Sequence, residues 1–362
     1  MKYIDEYRDK ELVMTLSKEI AKLSRTPVKF MEVCGGHTMS IQKFGLPYLL
    51  PETVELLSGP GCPVCVTSRG YIDRAVAYSR LEDVIITTYG DLIRVPGSTS
   101  SLEKERASGA DVRIVFSILD ALDIAQHNPE KKIVFLGIGF ETTAPSSAVG
   151  VLKARMAGIT NFYVYSAHKV MPPAMEQLID EGVEISGYIA PGHVSTITGD
   201  SIYKDIPARF NLGVVISGFE PVDLMESILM LVRQIENKDQ KVEIQYKRAV
   251  KPEGNVKAQQ MLYEVFEPGD DWWRGLGVLK NSGLKIRKEY AMHDSEKNIA
   301  VEVEPLKEPK GCICGDILRG VAKPKDCKLF AKGCTPSNPV GSCMVSSEGT
   351  CQAYYLYNRR GA

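Results

Sequence analysis

Short apolar segments alternate with segments of helical periodicity through most of the first 235 residues of this chain. Each apolar segment has the length of a strand and ends at glycine, proline or a small polar residue. The predicted strands are 28–33, 54–58, 83–88, 112–117, 132–137, 161–166, 185–190 and 213–217. Strands that alternate with helices form parallel sheets joined by crossover helices, so the chain is predicted to be an α/β protein.

The loops that follow the strands indicate how the chain is divided. The sequences SGPGCPV and IAPGHVS both place Pro-Gly and then a potential ligand after a strand, and this repeat favours two small sheets over one large sheet. We expect residues 26–130 and 131–235 to form two small parallel-sheet α/β domains that face a common cleft, because ligands bind beyond the carboxyl ends of parallel strands. Residues 1–25 are predicted to form an amphipathic helix. Residues 236–362 are predicted to form an irregular, cysteine-rich C-terminal domain.

Charge and hydropathy exclude several classes of partner. A net charge of −1 gives no reason to expect nucleic acid as a ligand. The first twenty residues are charged throughout, and no run approaches the roughly 18 apolar residues of a membrane span. We therefore expect a cytoplasmic protein that binds neither nucleic acid nor a membrane. Nine cysteines in a reducing compartment indicate metal or redox chemistry.

The segment GPGCPVC places Cys62 and Cys65 three positions apart, shortly before a predicted helix. This arrangement is typical of dithiol oxidoreductases, so a redox pair or a transient pair of ligands is the favoured interpretation. Half of a zinc site is the alternative, and it would need Cys34 and His37 as the second pair of ligands.

The segment EVCGGHT places Cys34 after a strand and before a predicted helix. A thiol at a helix N-terminus gains thiolate character, which would suit a ligand or a nucleophile. The alternative is a buried, inert cysteine in a tight turn beside a solvent-facing His37.

Three further motif residues follow strands of the second half. GIGFETTAP lacks the third glycine and the Gly-Lys-Ser/Thr of nucleotide fingerprints, so Glu141 is either a buried carboxylate or a cofactor contact. His168 in SAHK and His193 in PGHVS are either proton carriers and ligands, or structural histidines.

The C-terminal tail contains six cysteines, which are Cys312, Cys314, Cys327, Cys334, Cys343 and Cys351. Thiolates at such intervals in irregular loops suit an iron–sulfur cluster, which takes four of them. A Cys₄ zinc site is the alternative, although the tail lacks the two Cys-x₂₋₄-Cys knuckles of most zinc sites. Two cysteines would remain, and a spare pair beside a cluster indicates electron transfer to a disulfide.

Five motifs in the same order resemble the HypD family of hydrogenase maturation factors. They are FMEVCGGHT, LLSGPGCPVC, GIGFETTAP, APGHVSTITG and the tail from CICGDILRG to NPVGSCMVSSEGTC. The resemblance runs from about residue 30 to the C-terminus and implies two α/β domains with a third that carries a [4Fe–4S] cluster. It also implies a scaffold on which the Fe(CN)₂CO group of nickel–iron hydrogenases is built. The implied partners are the small chaperone HypC and the cyanide donor HypE.

The resemblance also implies roles for individual residues. Cys34 matches the cysteine that holds the iron together with a thiolate of HypC, and Cys62 and Cys65 match a redox-active pair in the same cleft. Glu348 matches a family position that is treated as functionally important, and His37 and His193 match motif histidines. Glu141, in the matching GIGFETTAP motif, is a further candidate catalytic residue. The implied cluster ligands are Cys312, Cys327, Cys334 and Cys351, which leaves Cys314 and Cys343 as the spare redox pair.

Two other functions compete with the scaffold. A cluster-dependent thiol–disulfide reductase of a protein substrate would use the tail and the Cys62–Cys65 pair but leave Cys34 and His37 without a role. A zinc-stapled binding module would perform no chemistry, and it would be colourless and contain zinc without acid-labile sulfide.

Overall fold

The structure is a computed structural model and describes residues 5–358. The strands are β1 (Val28–Glu32), β2 (Val54–Ser58), β3 (Val84–Thr88), β4 (Val112–Ile114), β5 (Lys132–Gly139), β6 (Phe162–His168), β7 (Gly187–Pro191), β8 (Gly213–Ser217), β9 (Val242–Ile244), β10 (Phe266–Trp273) and β11 (Gly277–Ile286). All eight strands predicted from the sequence are therefore present, and β4 ends three residues earlier than expected.

The α-helices are α1 (Lys10–Leu23), α2 (Gly35–Lys43), α3 (Pro63–Val66), α4 (Arg69–Ser79), α5 (Leu102–Ala107), α6 (Ile118–His127), α7 (Ala144–Met156), α8 (Pro172–Asp180), α9 (Gly192–Thr198), α10 (Asp205–Phe210), α11 (Pro221–Asn237), α12 (Val256–Val265), α13 (Ser295–Asn298), α14 (Cys314–Leu318) and α15 (Thr350–Tyr357). The helix predicted for residues 1–25 begins at Lys10, because the Asp9 side chain accepts from the backbone N–H groups of Glu11 and Leu12. Residues 1–4 of that prediction lie outside the described residues.

Two parallel sheets organise the chain. The first sheet has the strand order β2-β1-β7-β8-β9, and the second sheet has the order β4-β3-β5-β6. The chain leaves the first sheet after β2 and returns to it at β7. The segment that forms the second sheet is therefore an insertion in the sequence of the first. The predicted boundary between residues 130 and 131 therefore does not separate the two sheets. Strands β3, β5, β7 and β8 are buried along their whole length or nearly so, and such uniformly apolar segments do not specify their neighbours.

Each sheet is covered by helices. Val13, Leu16 and Ile20 of α1 form one apolar face that packs with α11 against the first sheet. Helices α6, α7 and α12 cover the second sheet in the same way. Complete burial of a side chain such as Ile20 or Phe30 stabilises the folded protein by about 1.5–3 kcal/mol. The packed helices therefore hold the ends of the strands in fixed positions.

The segment after residue 236 is distributed over both sheets. Strand β9 extends the first sheet beside β8, and α12 packs on α7. The antiparallel β10–β11 hairpin packs against β6 of the second sheet. Residues 242–286 are therefore not a unit apart from the sheets, in contrast to the predicted domain 236–362. The cysteine-rich tail follows, and its buried residues share one core with residues from both sheets.

The helices found within residues 5–358 are all too short or too polar to cross a membrane.

Candidate functional site

Loops from both sheets and the tail line one cavity of about 490 Å³. The lining residues are Gly61–Val64 after β2, Tyr89–Leu92 after β3, Ile138–Phe140 with Thr142 and Thr143 after β5, His193 after β7, and Ser346–Glu348 from the tail. Because parallel strands deliver these loops from their carboxyl ends, the polar side chains meet at one place. The volume is within the usual range of small-ligand sites.

Cys34 lies directly behind this cavity, at the end of β1 and the start of α2. Its thiol is buried, and its Sγ lies 3.7 Å from Nδ1 of His193, which lines the cavity. Burial raises the pKa of Cys34, and the charge of Glu348 raises it further, although the backbone N–H groups of His37 and Gly36 lower it. The thiolate character predicted for Cys34 is therefore wrong, because burial raises the pKa of the thiol more than the helix N-terminus lowers it.

Close backbone packing explains the glycines beside Cys34. A Cβ atom at Gly61 would lie 2.0 Å from the backbone nitrogen of Cys34, and one at Gly35 would lie 2.6 Å from Cβ of Glu348. The backbone of Gly35 also donates a hydrogen bond to the carbonyl of Gly61, at 3.1 Å. The glycines of the two cysteine motifs thus allow the Cys34 loop, the Cys62 loop and the tail to approach one another.

Glu32 is a site residue that the sequence analysis missed. Its carboxyl group accepts hydrogen bonds from the backbone N–H of Cys34, at 3.0 Å, and from the hydroxyl of Thr38. Burial raises the pKa of Glu32 to about 8, so the group is mainly protonated at neutral pH. An acidic residue at the end of strand β1, directly after the apolar residues Phe30 and Met31, was the signal that could have identified it.

His37 and His193 both lie against the ring of Phe219. The centroid of the Phe219 ring is 4.9 Å from that of His37 and 5.4 Å from that of His193. His37 is fully buried, so the solvent-facing alternative is wrong, and neither ring nitrogen has a hydrogen-bond partner among the described residues. Burial lowers the pKa of His37 to about 3 and that of His193 to about 4, and both rings are therefore neutral at pH 7. No sequence signal pointed to Phe219.

Cys62 and Cys65 form a disulfide at the short helix α3, with their Cα atoms 5.2 Å apart. Cys62 caps this helix, and its sulfur accepts from the backbone N–H of Cys65 at 3.3 Å. Cys62 lines the cavity, whereas Cys65 is completely buried. Of the two sulfur atoms, that of Cys62 is therefore the one that a molecule in the cavity can reach.

Two candidate carboxylates lie differently with respect to the cavity. Glu348 lines it with a solvent-exposed side chain, and partial desolvation raises the pKa of Glu348, with a further contribution from Asp91. Asp91 also lines the cavity and accepts from the hydroxyl of Ser346 at 2.7 Å, and the sequence analysis had not singled it out. Glu141 is buried beside the cavity, and its Oε1 accepts from the backbone N–H of Met171 at 3.0 Å.

His168 is not part of the cavity lining. Its Nε2 lies 3.0 Å from the hydroxyl of Ser147, its Nδ1 lies 3.1 Å from that of Ser166, and its ring is buried beside Phe266. Burial lowers the pKa of His168 to about 3. These contacts match the structural alternative for this residue.

The tail brings its cysteines together around a second, smaller cavity. The thiols that line it are those of Cys312, Cys314, Cys327, Cys334 and Cys351. Cys343 is completely buried outside this lining, and a hydrogen bond with Cys314 is the main cause that raises the pKa of Cys343. The backbone N–H of Val340 donates to the sulfur of Cys334 at 3.3 Å. Within residues 5–358, no three or more His, Cys, Asp or Glu side chains are placed so that they could hold a single metal ion.

Comparisons with known proteins cover nearly the whole chain. The family model HypD, described as the hydrogenase formation hypA family, matches residues 10–358. The hydrogenase maturation factor HypD2 of Bradyrhizobium diazoefficiens is 47% identical over 99% of this chain and 97% of its own length. HypD of Escherichia coli is 43% identical over 99% of both chains. A putative hydrogenase expression/formation protein of Methanocaldococcus jannaschii is 45% identical over 97% of this chain and 98% of its own.

Proposed function

The chain belongs to the HypD family of hydrogenase maturation factors, and from this premise we propose that it is the scaffold on which the Fe(CN)₂CO group of nickel–iron hydrogenases is assembled. A HypC-type chaperone shares the iron, and a HypE-type protein donates cyanide. The observation that carries the proposal is the position of the Cys34 thiol, 3.7 Å from His193 and directly behind a cavity that Cys62 lines.

Cys34 is the proposed anchor of the iron. Cyanide and carbonyl favour low-spin Fe(II), for which a soft thiolate is a suitable ligand. The thiol is neutral in the buried site, so iron must displace its proton. His193 contacts the thiol and also lines the cavity, and its neutral ring accepts that proton and passes it to the cavity. Glu32 holds the backbone of Cys34 in place during this exchange.

The dithiol Cys62–Cys65 is the proposed redox group of the cavity. Its disulfide takes two electrons and two protons when the S–S bond breaks, and the sulfur of Cys62 faces the cavity in which the iron is completed. Glu348 lines the same cavity and supplies a carboxyl group that exchanges protons with its contents.

The tail is the proposed site of a [4Fe–4S] cluster. The four implied ligands Cys312, Cys327, Cys334 and Cys351 line one small cavity, and thiolates are the ligands that such clusters take. A backbone N–H that donates to a ligand sulfur, as Val340 does to Cys334, supports a thiolate. When bound, the cluster supplies electrons one at a time. Cys314 and Cys343, which contact each other, are the remaining pair.

A thiol–disulfide reductase is the second candidate, and the place of Cys62 in the cavity lining favours it. Reduction of a generic protein disulfide by the purified protein would support this function. In that reaction, replacement of Cys34 by alanine would leave the rate unchanged, whereas it would abolish iron assembly.

Infrared spectroscopy tests the proposed function. The protein is isolated anaerobically with its partners from cells that produce hydrogenase, and the triple-bond stretching region is recorded. We expect cyanide and carbonyl bands that disappear in Cys34→Ala and persist in Lys43→Ala, a control on the exposed side of α2. Wild-type protein without these bands would contradict the scaffold and favour the reductase.

A further inference from the structure

Arg274 binds the turn that carries the Cys62–Cys65 disulfide. The last carbonyls of a helix have no partners within the helix, and α3 is only one turn long. Arg274 satisfies three successive carbonyls at this end. Its Nε donates to Cys65 at 3.0 Å, its backbone N–H to Val66 at 2.8 Å, and its Nη2 to Thr67 at 3.0 Å.

The tip of the β10–β11 hairpin, which carries Arg274, also contacts the cysteine-rich tail. Gly275 has a φ of +86°, and a Cβ atom there would lie 2.5 Å from the carbonyl oxygen of Gly315, the residue after Cys314. From the tail, the hydroxyl of Ser342 donates to the carbonyl of Cys65 at 3.0 Å. The hairpin tip thus lies between the two segments that carry cysteine pairs.

The guanidinium of Arg274 is buried and weakly paired. The residue is 7% exposed, and its Nη1 lies 3.5 Å from a carboxylate oxygen of Glu308, a side chain that is half exposed. Solvent and salt therefore screen this positive charge little. Arg69 is also buried, but its guanidinium donates to Gly97, Lys307 and Val340 and not to α3.

We propose that Arg274 is the positioning residue of the Cys62–Cys65 pair, and that it holds the turn in place while its charge favours the reduced pair over the disulfide. This inference rests on the redox role proposed above. With an external dithiol as reductant, the S–S bond of the protein breaks, its two sulfurs gain two electrons and two protons, and the reductant closes to a disulfide. A nearby positive charge stabilises the thiolate form of the reduced pair, and because that form is in equilibrium with the dithiol, the charge favours reduction.

The test is a redox titration of the full-length protein in buffers of reduced and oxidised dithiothreitol. Alkylation and mass spectrometry of the peptide that contains Cys62 and Cys65 measure the reduced fraction. In Arg274→Gln we expect the midpoint to require about a tenfold higher ratio of reduced to oxidised buffer, which corresponds to about 30 mV. Arg287→Gln is the control, because Arg287 also donates to backbone carbonyls but lies at the opposite end of the hairpin.

A second variant separates charge from structure and does not depend on the folding of Arg274→Gln. Glu308→Gln removes the carboxylate near Arg274, so it should shift the midpoint in the opposite direction, by about threefold in the buffer ratio. A structural role alone does not predict this reversal of sign. If Glu308→Gln leaves the midpoint unchanged, or folded Arg274→Gln titrates as wild type does, the inference is wrong while the redox pair stands. If Cys62 and Cys65 of the wild-type protein are not reduced and reoxidised in this titration, the proposed redox function is wrong instead.

Discussion

The sulfur of Cys34 lies 3.7 Å from Nδ1 of His193, although 159 positions separate the two residues in the sequence. They meet because β1 and β7 are neighbours in the first sheet, and each residue lies two positions after the end of its strand. Burial raises the pKa of the thiol and lowers that of the imidazole to about 4. At neutral pH the pair is therefore a neutral thiol beside a neutral ring, and not a thiolate–imidazolium pair.

His193 lines the cavity and contacts the buried thiol of Cys34, so we infer that its ring limits access to this thiol. Iodoacetamide should therefore modify Cys34 slowly in the wild-type protein, and His193→Ala should increase the rate by about tenfold, because the reagent must reach the sulfur before its thiolate can react. Mass spectrometry of the Cys34 peptide over time measures this rate. His127→Ala, which changes an exposed histidine on α6, should leave it unchanged. Equal rates in all three proteins would show that His193 does not limit access.

Gly61 should tolerate no side chain. A Cβ atom there would lie 2.0 Å from the nitrogen of Cys34 and 2.2 Å from the carbonyl carbon of Val33, and backbone atoms cannot give way as a flexible side chain can. We expect Gly61→Ala to destabilise the protein by about 3 kcal/mol or more, measured by thermal or denaturant unfolding, and to abolish hydrogenase maturation. Gly70→Ala is the control, because Gly70 lies in α4 and its nearest contact would be at 4.0 Å. A Gly61→Ala protein of wild-type stability would contradict the close packing.

The sequence predicted the strands well and their pairing poorly. Apolar runs that end at glycine or proline identify strands such as β2 and β8 to the residue, because burial and turns are local properties. Whether β1 pairs with β7 or with a strand of the second sheet depends on contacts between distant segments, which uniformly apolar strands do not specify. The predicted boundary at residue 130 failed for this reason.

In the candidate site too, the sequence predicted residues that stand in local motifs and missed those brought in by contacts between distant segments. Cys34, His37, Cys62 and His193 were identified because their residue types stand in motifs after strands. Arg274 gave no such signal: its place in WWRGLG says nothing about a turn more than 200 residues earlier, and only the packing of the hairpin brings it to Cys65.

The tail cavity separates Cys343 from the other five tail cysteines, all of which line it. Cys334 lines the cavity and its sulfur accepts from Val340, whereas Cys343 lies outside the lining. Cys334→Ala should therefore lose most of the iron and acid-labile sulfide of anaerobically purified protein, because a cluster needs all four thiolates. Cys343→Ala is the matched variant and should retain both. Equal losses in the two variants would place Cys343 among the ligands.

The buried carboxyl group of Glu141 makes stability depend on pH. Burial raises its pKa in the folded protein from 4.5 to about 7, so the folded state binds this proton more tightly than the unfolded state. The resulting stabilisation is complete below about pH 4.5 and is lost as pH rises towards 7, by about 1.4 kcal/mol per pH unit.

Glu141→Gln cannot lose a proton, so its unfolding free energy relative to wild type should increase between pH 5 and 7 and then level off, as measured by urea unfolding at each pH. The exposed Glu130→Gln should differ little from wild type at any pH, because a surface side chain has little interaction energy to lose. A difference between Glu141→Gln and wild type that stays constant with pH would show that Glu141 is already ionised in the folded protein.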